Sequence, residues 1–372
     1  MSDALALVTG ATGFIAARLV PALLAEGWRV RATGRRPRPD DLPEEAEYQP
    51  ADLVGDDFRA LVSLCAGVTH VFHLAGASSS KSSQEEMDRN NVDATARLIE
   101  AAAQGPSGPS SGGQGPSGPS SGGQGPSGPS SGGQSPLERF VHMSSTSIYG
   151  EEKQLPLPVR EDVEPNASRG YGKAKWGAEQ EVWARSKEGV PVVVLRPVTV
   201  YGPGATKLLA SAILDTAIER SAGLPRLAVP AEPTEQRLVH VDDLIAASIH
   251  LAASPEAVGR AFNVVDGIYP TSHDVARILA DCFGMEVEVG GEGLDEERRR
   301  KVHEHLVEQG MEPAILFTPD RFRFMAKTNR NNRLSTEALE STGFRFRHTD
   351  FPASVADNVE WYQARKWLPA VF

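Results

Sequence analysis

The chain has 372 residues, enough to bury a full core and to form two lobes. Its 38 Lys and Arg against 49 Asp and Glu leave a formal charge of −11, which disfavours a polyanion-binding surface and excludes nucleic acid as an expected partner. Cys65 and Cys282 make neither a disulfide framework nor a metal-ligand spacing, no apolar run approaches the roughly 20 residues of a membrane span, and the N-terminus enters a strand without a signal-peptide pattern. A soluble cytoplasmic protein without bound metal or membrane association is expected, with both cysteines in the core.

In chain order, the apolar run Leu5-Ala6-Leu7-Val8 reads as a buried parallel strand. The pattern then switches through Thr9-Gly10-Ala11-Thr12-Gly13 to a helix carrying Phe14, Ile15, Leu19, Leu23 and Leu24. In a strand, turn and helix of this kind, Gly10 permits the turn, Gly13 lets backbone approach a pyrophosphate, and the helix N-terminus supplies N–H groups to the phosphates. Ala16 stands where a third glycine would lie, and Pro21 predicts a kink or local loosening. Strands follow at 28–33 and 69–74 and a helix at 86–103. Residues 105–134 are three tandem copies of G-P-S-G-P-S-S-G-G-Q, with no apolar face to stack and no strict third-position glycine. They read as a flexible, solvated insertion in a surface loop.

A strand is expected at 139–143, a helix at 171–188 and a strand at 191–196. This alternation predicts an α/β fold, a doubly wound parallel sheet with ligands at the carboxyl ends of the strands, joined to a smaller mixed C-terminal lobe. The dinucleotide-binding domain is placed at 1–197 and the substrate-binding lobe at 198–372, discontinuous, with 238–265 returning to the first domain. The charged stretch Leu294 to Gln309 reads as an exposed helix, and Phe317 to Asn332 as part of a substrate lid. Tyr171 and Lys175, four residues apart on the 171–188 helix, project from one face and converge on one ligand. A cation beside a tyrosine stabilises its phenolate, which makes the pair an acid/base catalyst.

Several segments together carry a resemblance: T-G-A-T-G-F-I at 9–15, Ala51-Asp52-Leu53, Val71-Phe72-His73-Leu74-Ala75-Gly76, Asn91-Val92, Ser144-Ser145 ahead of Ile148-Tyr149-Gly150, Tyr171 with Lys175, Leu195-Arg196-Pro197 with Val200-Tyr201-Gly202-Pro203, and His240-Val241-Asp242-Asp243-Leu244. In this order and at these spacings the chain resembles the extended short-chain dehydrogenase/reductases, a group with nucleotide-sugar epimerases and dehydratases, dihydroflavonol-type reductases and 3β-hydroxysteroid dehydrogenases. The resemblance fades after about residue 285. It implies that Tyr171 exchanges a proton with the substrate oxygen, that Lys175 lowers its pKa and holds the nicotinamide ribose, and that Ser145 hydrogen-bonds the substrate carbonyl. It also implies cofactor contacts from Gly10, Thr12, Gly13, Phe14, Ile15, Leu74, Ala75, Gly76, Asn91, Pro197 and Val200. Asp52 would meet the adenine amino group and Leu53 line its pocket, with capping of a turn the alternative for Asp52. His73 and His240 are expected to be structural.

An NAD enzyme places an acidic residue at the end of the second strand. Here Val30-Arg31-Ala32-Thr33-Gly34-Arg35-Arg36 has none, and is similar to the V-R-A-T-x-R stretch of dihydroflavonol-type reductases. Arg35 and Arg36 are suited to a 2′-phosphate, so NADP is the expected cofactor with NAD the alternative; a solvated basic turn continuing to Arg38 is the competing reading. Thr146 and Ser147 stand where nucleotide-sugar dehydratases carry an Asp-Glu pair, and Gln236 stands where nucleotide-sugar enzymes commonly carry an Arg, with Arg237 displaced by one. The expected activity is therefore an NADP(H)-dependent interconversion of a ketone and a secondary alcohol on a small molecule, in an enzyme for which a homodimer is a possible assembly. A nucleotide-sugar epimerase and a non-catalytic NAD(P)-binding sensor are the alternatives.

Overall fold

Every residue of the strand Leu5–Thr9 (β1) is buried, as a run without polar alternation requires of a strand covered on both faces. The computed structural model describes residues 4–77, 82–104, 137–150, 154–291, 293–311 and 333–368. The repeat at 105–134 and the lid expected at 317–332 lie outside them. Helix α1 (Phe14–Ala25) leads from β1 to β2 (Arg29–Thr33), followed by the short β3 (Glu47–Tyr48), α2 (Phe58–Leu64) and β4 (His70–His73). After these come α3 (Gln84–Asp88), α4 (Ala94–Gln104), β5 (Arg139–Met143), α5 (Gly170–Lys187), β6 (Val192–Pro197) and β7 (Thr199–Tyr201). The remainder holds α6 (Leu209–Ser221), β8 (Arg226–Val229), β9 (Leu238–His240), α7 (Val241–Ala253), β10 (Arg260–Val264), α8 (Ser272–Phe283), β11 (Glu286–Val289), α9 (Glu296–Glu308) and the helix Phe351–Ala364.

The main sheet is parallel, seven-stranded and ordered β10-β6-β5-β4-β1-β2-β3. β1 pairs with β2 on one side, Thr9 opposite Thr33, and with β4 on the other, Thr9 opposite His73. Strand order therefore reverses beside β1, which opens a crevice at the carboxyl ends. Apolar clusters cover both faces of the sheet, one including Val8, Leu19 and Phe262 and the other Leu7, Leu98 and Phe140. A third cluster, with Ile213, Leu279 and Val355, forms the core of the second lobe around α6, α8 and the helix 351–364. β9, α7 and β10 interrupt that lobe in sequence, and β10 completes the main sheet beside β6.

Three departures from the sequence reading have local causes. The helix expected at 86–103 starts at Gln84, because Ser83 and Glu86 form a capping box, and it contains a π-helical turn at Arg89–Asp93. There the Asn91 side chain donates to the carbonyls of Met87 and Ala77, inserting itself into the helix ladder. α1 runs unbroken through Pro21, whose ring is exposed, while Ala16 is buried, as its place at the helix–strand contact led us to expect. α9 is not exposed all round: Leu306 is buried, and Arg299 pairs with the buried Asp215 (2.5 Å) and Glu219 (2.7 Å) of α6. Hydropathy alone reads that arginine as solvated. Cys65 is buried in the first domain, whereas Cys282 is half-buried against the second core.

Candidate active site

A cleft of about 440 Å³ opens at the carboxyl ends of β1, β2 and β4. Gly10, Thr12 and Gly13 line it from the β1–α1 turn, Arg35 and Arg36 from the end of β2, Asp52 and Leu53 from beyond β3, and Leu74, Ala75 and Gly76 from beyond β4. Gly10 has φ +72°, and a Cβ there would lie 3.0 Å from the Ala75 nitrogen, so the turn passes the β4 loop only without a side chain. α1 begins after Gly13 with no side-chain cap and no acidic residue in its first turn, leaving the first-turn N–H groups available to an anion. The Asn91 side-chain oxygen is buried without a partner and faces Gly76 in the cleft wall. A glycine-lined cleft, an uncapped helix start and an orphaned acceptor fit a dinucleotide.

The cations after β2 divide in where they point. Arg35 lines the cleft and donates to Asn90 at 3.3 Å, while Arg38 turns away, donating to the carbonyls of Ala46 (2.9 Å), Leu42 (3.2 Å) and Pro43 (2.6 Å). Asp52 both lines the cleft and caps a turn. Its carboxylate accepts from the Val54 N–H at 3.1 Å, and that bond leads the causes that hold its pKa below the ordinary value. Thr33, Gly34, Ala51, Val54, Asn90, Ala94 and Lys207 also line the cleft, and none was assigned a cofactor contact from the sequence. Most flank predicted positions; Lys207 is remote in sequence, and no motif marks it.

Phe14, Ile15, Asn91, Pro197, Val200, Tyr171 and Lys175 are not among the cleft-lining residues. The Phe14 ring packs into both lobes' cores and Ile15 into the first, which leaves their backbone N–H groups as their route to a ligand. Pro197 accepts a hydrogen bond from Thr146 at 3.3 Å, and Val200 pairs with Val239. The catalytic candidates gather beside the cleft. Ser145 lies two residues beyond β5 and caps the 3₁₀ turn Thr146–Tyr149, its hydroxyl accepting from Ser147 Oγ at 2.9 Å and opposing the upward shift of the Tyr171 phenol. Lys175 is buried, donates to the Met143 carbonyl at 2.8 Å, and sits 5.8 Å from the Tyr171 ring centre and close to Gly76.

Electrostatics here differ from the sequence expectation. Burial pushes the Tyr171 phenol up to about 12, against the opposing Ser145 hydrogen bond, so Lys175 does not produce the lowered pKa expected of it. Burial also draws Lys175 down to about 8, opposed by Glu179. His73 is buried with both ring nitrogens engaged, by Thr9 and Thr95 at 2.9 Å each, and burial holds it neutral with a pKa of about 3. His240 caps α7 through its Nδ1 and stacks on His348 at 3.7 Å. His73 is structural, as its strand-end position suggested, whereas His240 lies with Asp242 and His348 in a group whose ligand atoms are within 4.8 Å of one another.

Beneath the site lies a buried polar network. Glu179, fully buried on α5, accepts from Ser144 (2.7 Å), Trp183 (3.0 Å) and Arg196, with which it forms an ion pair. Arg196 also donates to Tyr149 (2.8 Å), whose hydroxyl donates to Asn263 (2.9 Å). The network fixes β5, α5, β6 and β10 around Ser145, Tyr171 and Lys175. Its one sequence signal is an arginine inside the otherwise apolar strand Val192–Pro197.

A profile of the NAD dependent epimerase/dehydratase family matches residues 6–265. Cinnamoyl-CoA reductase 1 of Petunia hybrida is 29% identical over 303 residues, covering 76% of this chain and 78% of that protein. Two further curated relatives match over 59% and 50% of their own lengths. Among solved structures, MoeE5 in complex with UDP-glucuronic acid and NAD superposes with a TM-score of 0.67 at 24% identity, over 96% of this chain and 99% of that one. The UDP-N-acetylglucosamine 4-epimerase of Methanobrevibacter ruminantium M1 gives a TM-score of 0.69 at 20% identity, over 98% and 99%. The family match spans more than half of the chain and coincides with the glycine-lined cleft and the main sheet. The chain belongs to the NAD-dependent epimerase/dehydratase family and is an NAD(P)-dependent enzyme of the extended short-chain dehydrogenase/reductase type.

Proposed function

We propose that this enzyme interconverts a ketone and a secondary alcohol on a small, non-nucleotide molecule, using NADP(H). The observation that carries the reading is the convergence of Ser145, Tyr171 and the buried Lys175 beside the glycine-lined cleft. Gly10, Gly13 and the start of α1 would hold the dinucleotide, and the nicotinamide supplies or accepts the hydride when bound. Tyr171, kept protonated where burial raises its pKa, would be the acid that protonates the carbonyl oxygen as it gains charge. Ser145 would orient that oxygen. Lys175, lowered to about 8 and so still mostly charged at neutral pH, would stabilise the Tyr171 phenolate as the proton leaves.

Reduction is favoured over dehydration and epimerisation by particular residues. Thr146 is buried and bonded to the Pro197 carbonyl, and Ser147 is bonded to Ser145, so neither supplies a second acid/base pair. Gln236 is buried, donating to both oxygens of Thr234 at 3.0 Å, where a substrate diphosphate would call for an arginine. The substrate-binding lobe is proposed as residues 198–372 apart from the 238–265 return, and the enzyme as cytoplasmic.

Tyr171→Phe keeps the ring and removes the acid, so turnover in a ketone screen followed by nicotinamide absorbance is expected to fall by ~10²-fold or more with cofactor affinity little changed. A variant keeping more than half of wild-type turnover would remove Tyr171 from the mechanism. Arg35→Ala is expected to weaken NADPH binding by roughly tenfold to a hundredfold and leave NADH binding nearly unchanged, since only the former offers the 2′-phosphate. A wild type that prefers NADH, or a variant that loses both cofactors equally, would end the NADP assignment.

A further inference from the structure

Lys207 is the one cleft-lining side chain that comes from beyond residue 94 of the described chain, arriving on the loop between β7 and α6. Its backbone context is unusual. Leu208, immediately after it, has φ +61° and ψ −114°, a conformation L side chains rarely adopt, and its own side chain is 39% exposed rather than anchored in a core. Nothing about packing Leu208 explains the conformation. What it accomplishes is to let α6 begin at the buried Leu209 while the preceding residue reaches back to the cleft. The loop's location says which part of a ligand it meets. Gly204 lies directly on Phe14, so close that a Cβ would be 3.5 Å from the ring, and Phe14 is the first residue of α1. That is the uncapped helix start, where a dinucleotide places its pyrophosphate. Among the described residues Lys207 makes no hydrogen bond or ion pair, and the one acidic residue lining the cleft, Asp52, has its carboxylate in the turn to Val54.

We propose that Lys207 is a pyrophosphate clamp supplied to the dinucleotide by the substrate lobe. The inference rests on the cleft being a dinucleotide site but is independent of the choice between NADP and NAD: Arg35 and Arg36 stand at the ribose end, Lys207 at the helix end. A cation reaching from the second lobe completes the neutralisation that the N–H groups of α1 begin, and ties cofactor binding to the loop that leads into α6.

The test measures equilibrium affinities of wild type, Lys207→Met and Lys207→Arg for NADPH, NADH, ADP-ribose and adenosine 2′-monophosphate. Methionine keeps the length and removes the charge; since Lys207 is exposed, thermal unfolding is expected to be unchanged and serves as the folding control. Lys207→Met is expected to weaken NADPH, NADH and ADP-ribose alike by about tenfold, the loss of one charge-assisted bond, and to leave adenosine 2′-monophosphate unaffected. Lys207→Arg is expected to stay within about threefold of wild type. Equal affinity of wild type and Lys207→Met for ADP-ribose overturns the proposal, as does a loss confined to NADPH and adenosine 2′-monophosphate, which would place Lys207 on the 2′-phosphate. A wild type that binds neither NADPH nor NADH would instead bring down the functional reading, and this inference with it.

Discussion

Asp266 holds one carboxylate oxygen against the N–H of Ile268 at 2.9 Å and keeps the other buried without a partner. Burial, with the nearby Asp243 adding to it, raises its pKa from 3.8 to about 7. The folded chain therefore keeps a proton on Asp266 that the unfolded chain releases near pH 4, so this group makes stability fall as pH rises between about 4 and 7. Asp266→Asn retains the acceptor for Ile268 and removes the buried charge. It is expected to melt about 2–4 °C above wild type at pH 8, with the gap shrinking through pH 7 and gone near pH 4. A gap independent of pH, or a variant less stable at pH 8, would show that the carboxylate is not the source. Residues of this kind are invisible in sequence: Asp266 follows an apolar strand as many turn-forming aspartates do, and only packing determines which of its oxygens is left unpaired. Arg35 and Arg38 make the same point, being alike as a run of charge and opposite in where they point.

Helix α5 presents Tyr171 and Lys175 on one face, as their four-residue spacing dictates, but what seats the helix is Gly172. A Cβ at that position would collide with the Ser147 carbonyl oxygen and lie 2.8 Å from the Ala167 methyl. Alanine normally stabilises a helix interior by about 1 kcal/mol relative to glycine. Here that sign is expected to reverse, with Gly172→Ala lowering the melting temperature and reducing turnover as Tyr171 is pushed off Ser145, while cofactor affinity holds. A more stable variant would show that the 3₁₀ turn yields freely. The spacing of Tyr171 and Lys175 was legible because a helix has a fixed period. The π-helical turn at Arg89–Asp93 was not, because one inserted asparagine side chain leaves the apolar pattern of the flanking helices unchanged.

At the scale of the whole molecule two lobes meet along α1. Phe14 packs into the cores of both, while within the first Arg18 binds both oxygens of Asp242 at the start of α7, at 2.7 and 2.8 Å. The sheet, its alternation with helices and the glycine turn after β1 were readable from the chain alone, because each depends on local periodicity and on residues within a few positions of one another. Segments remote in sequence converge on the site for reasons the chain does not display: Lys207 reaches the cleft through a strained neighbour, and Arg196, Glu179, Tyr149 and Asn263 close a network across four elements. The sequence by itself determined the fold class and brought Ser145, Tyr171 and Lys175 into consideration, since period and turn chemistry act over short range. Only the tertiary structure decided the direction in which those groups shift, because burial sets it: Tyr171 is raised and Lys175 lowered by surroundings drawn from the whole chain.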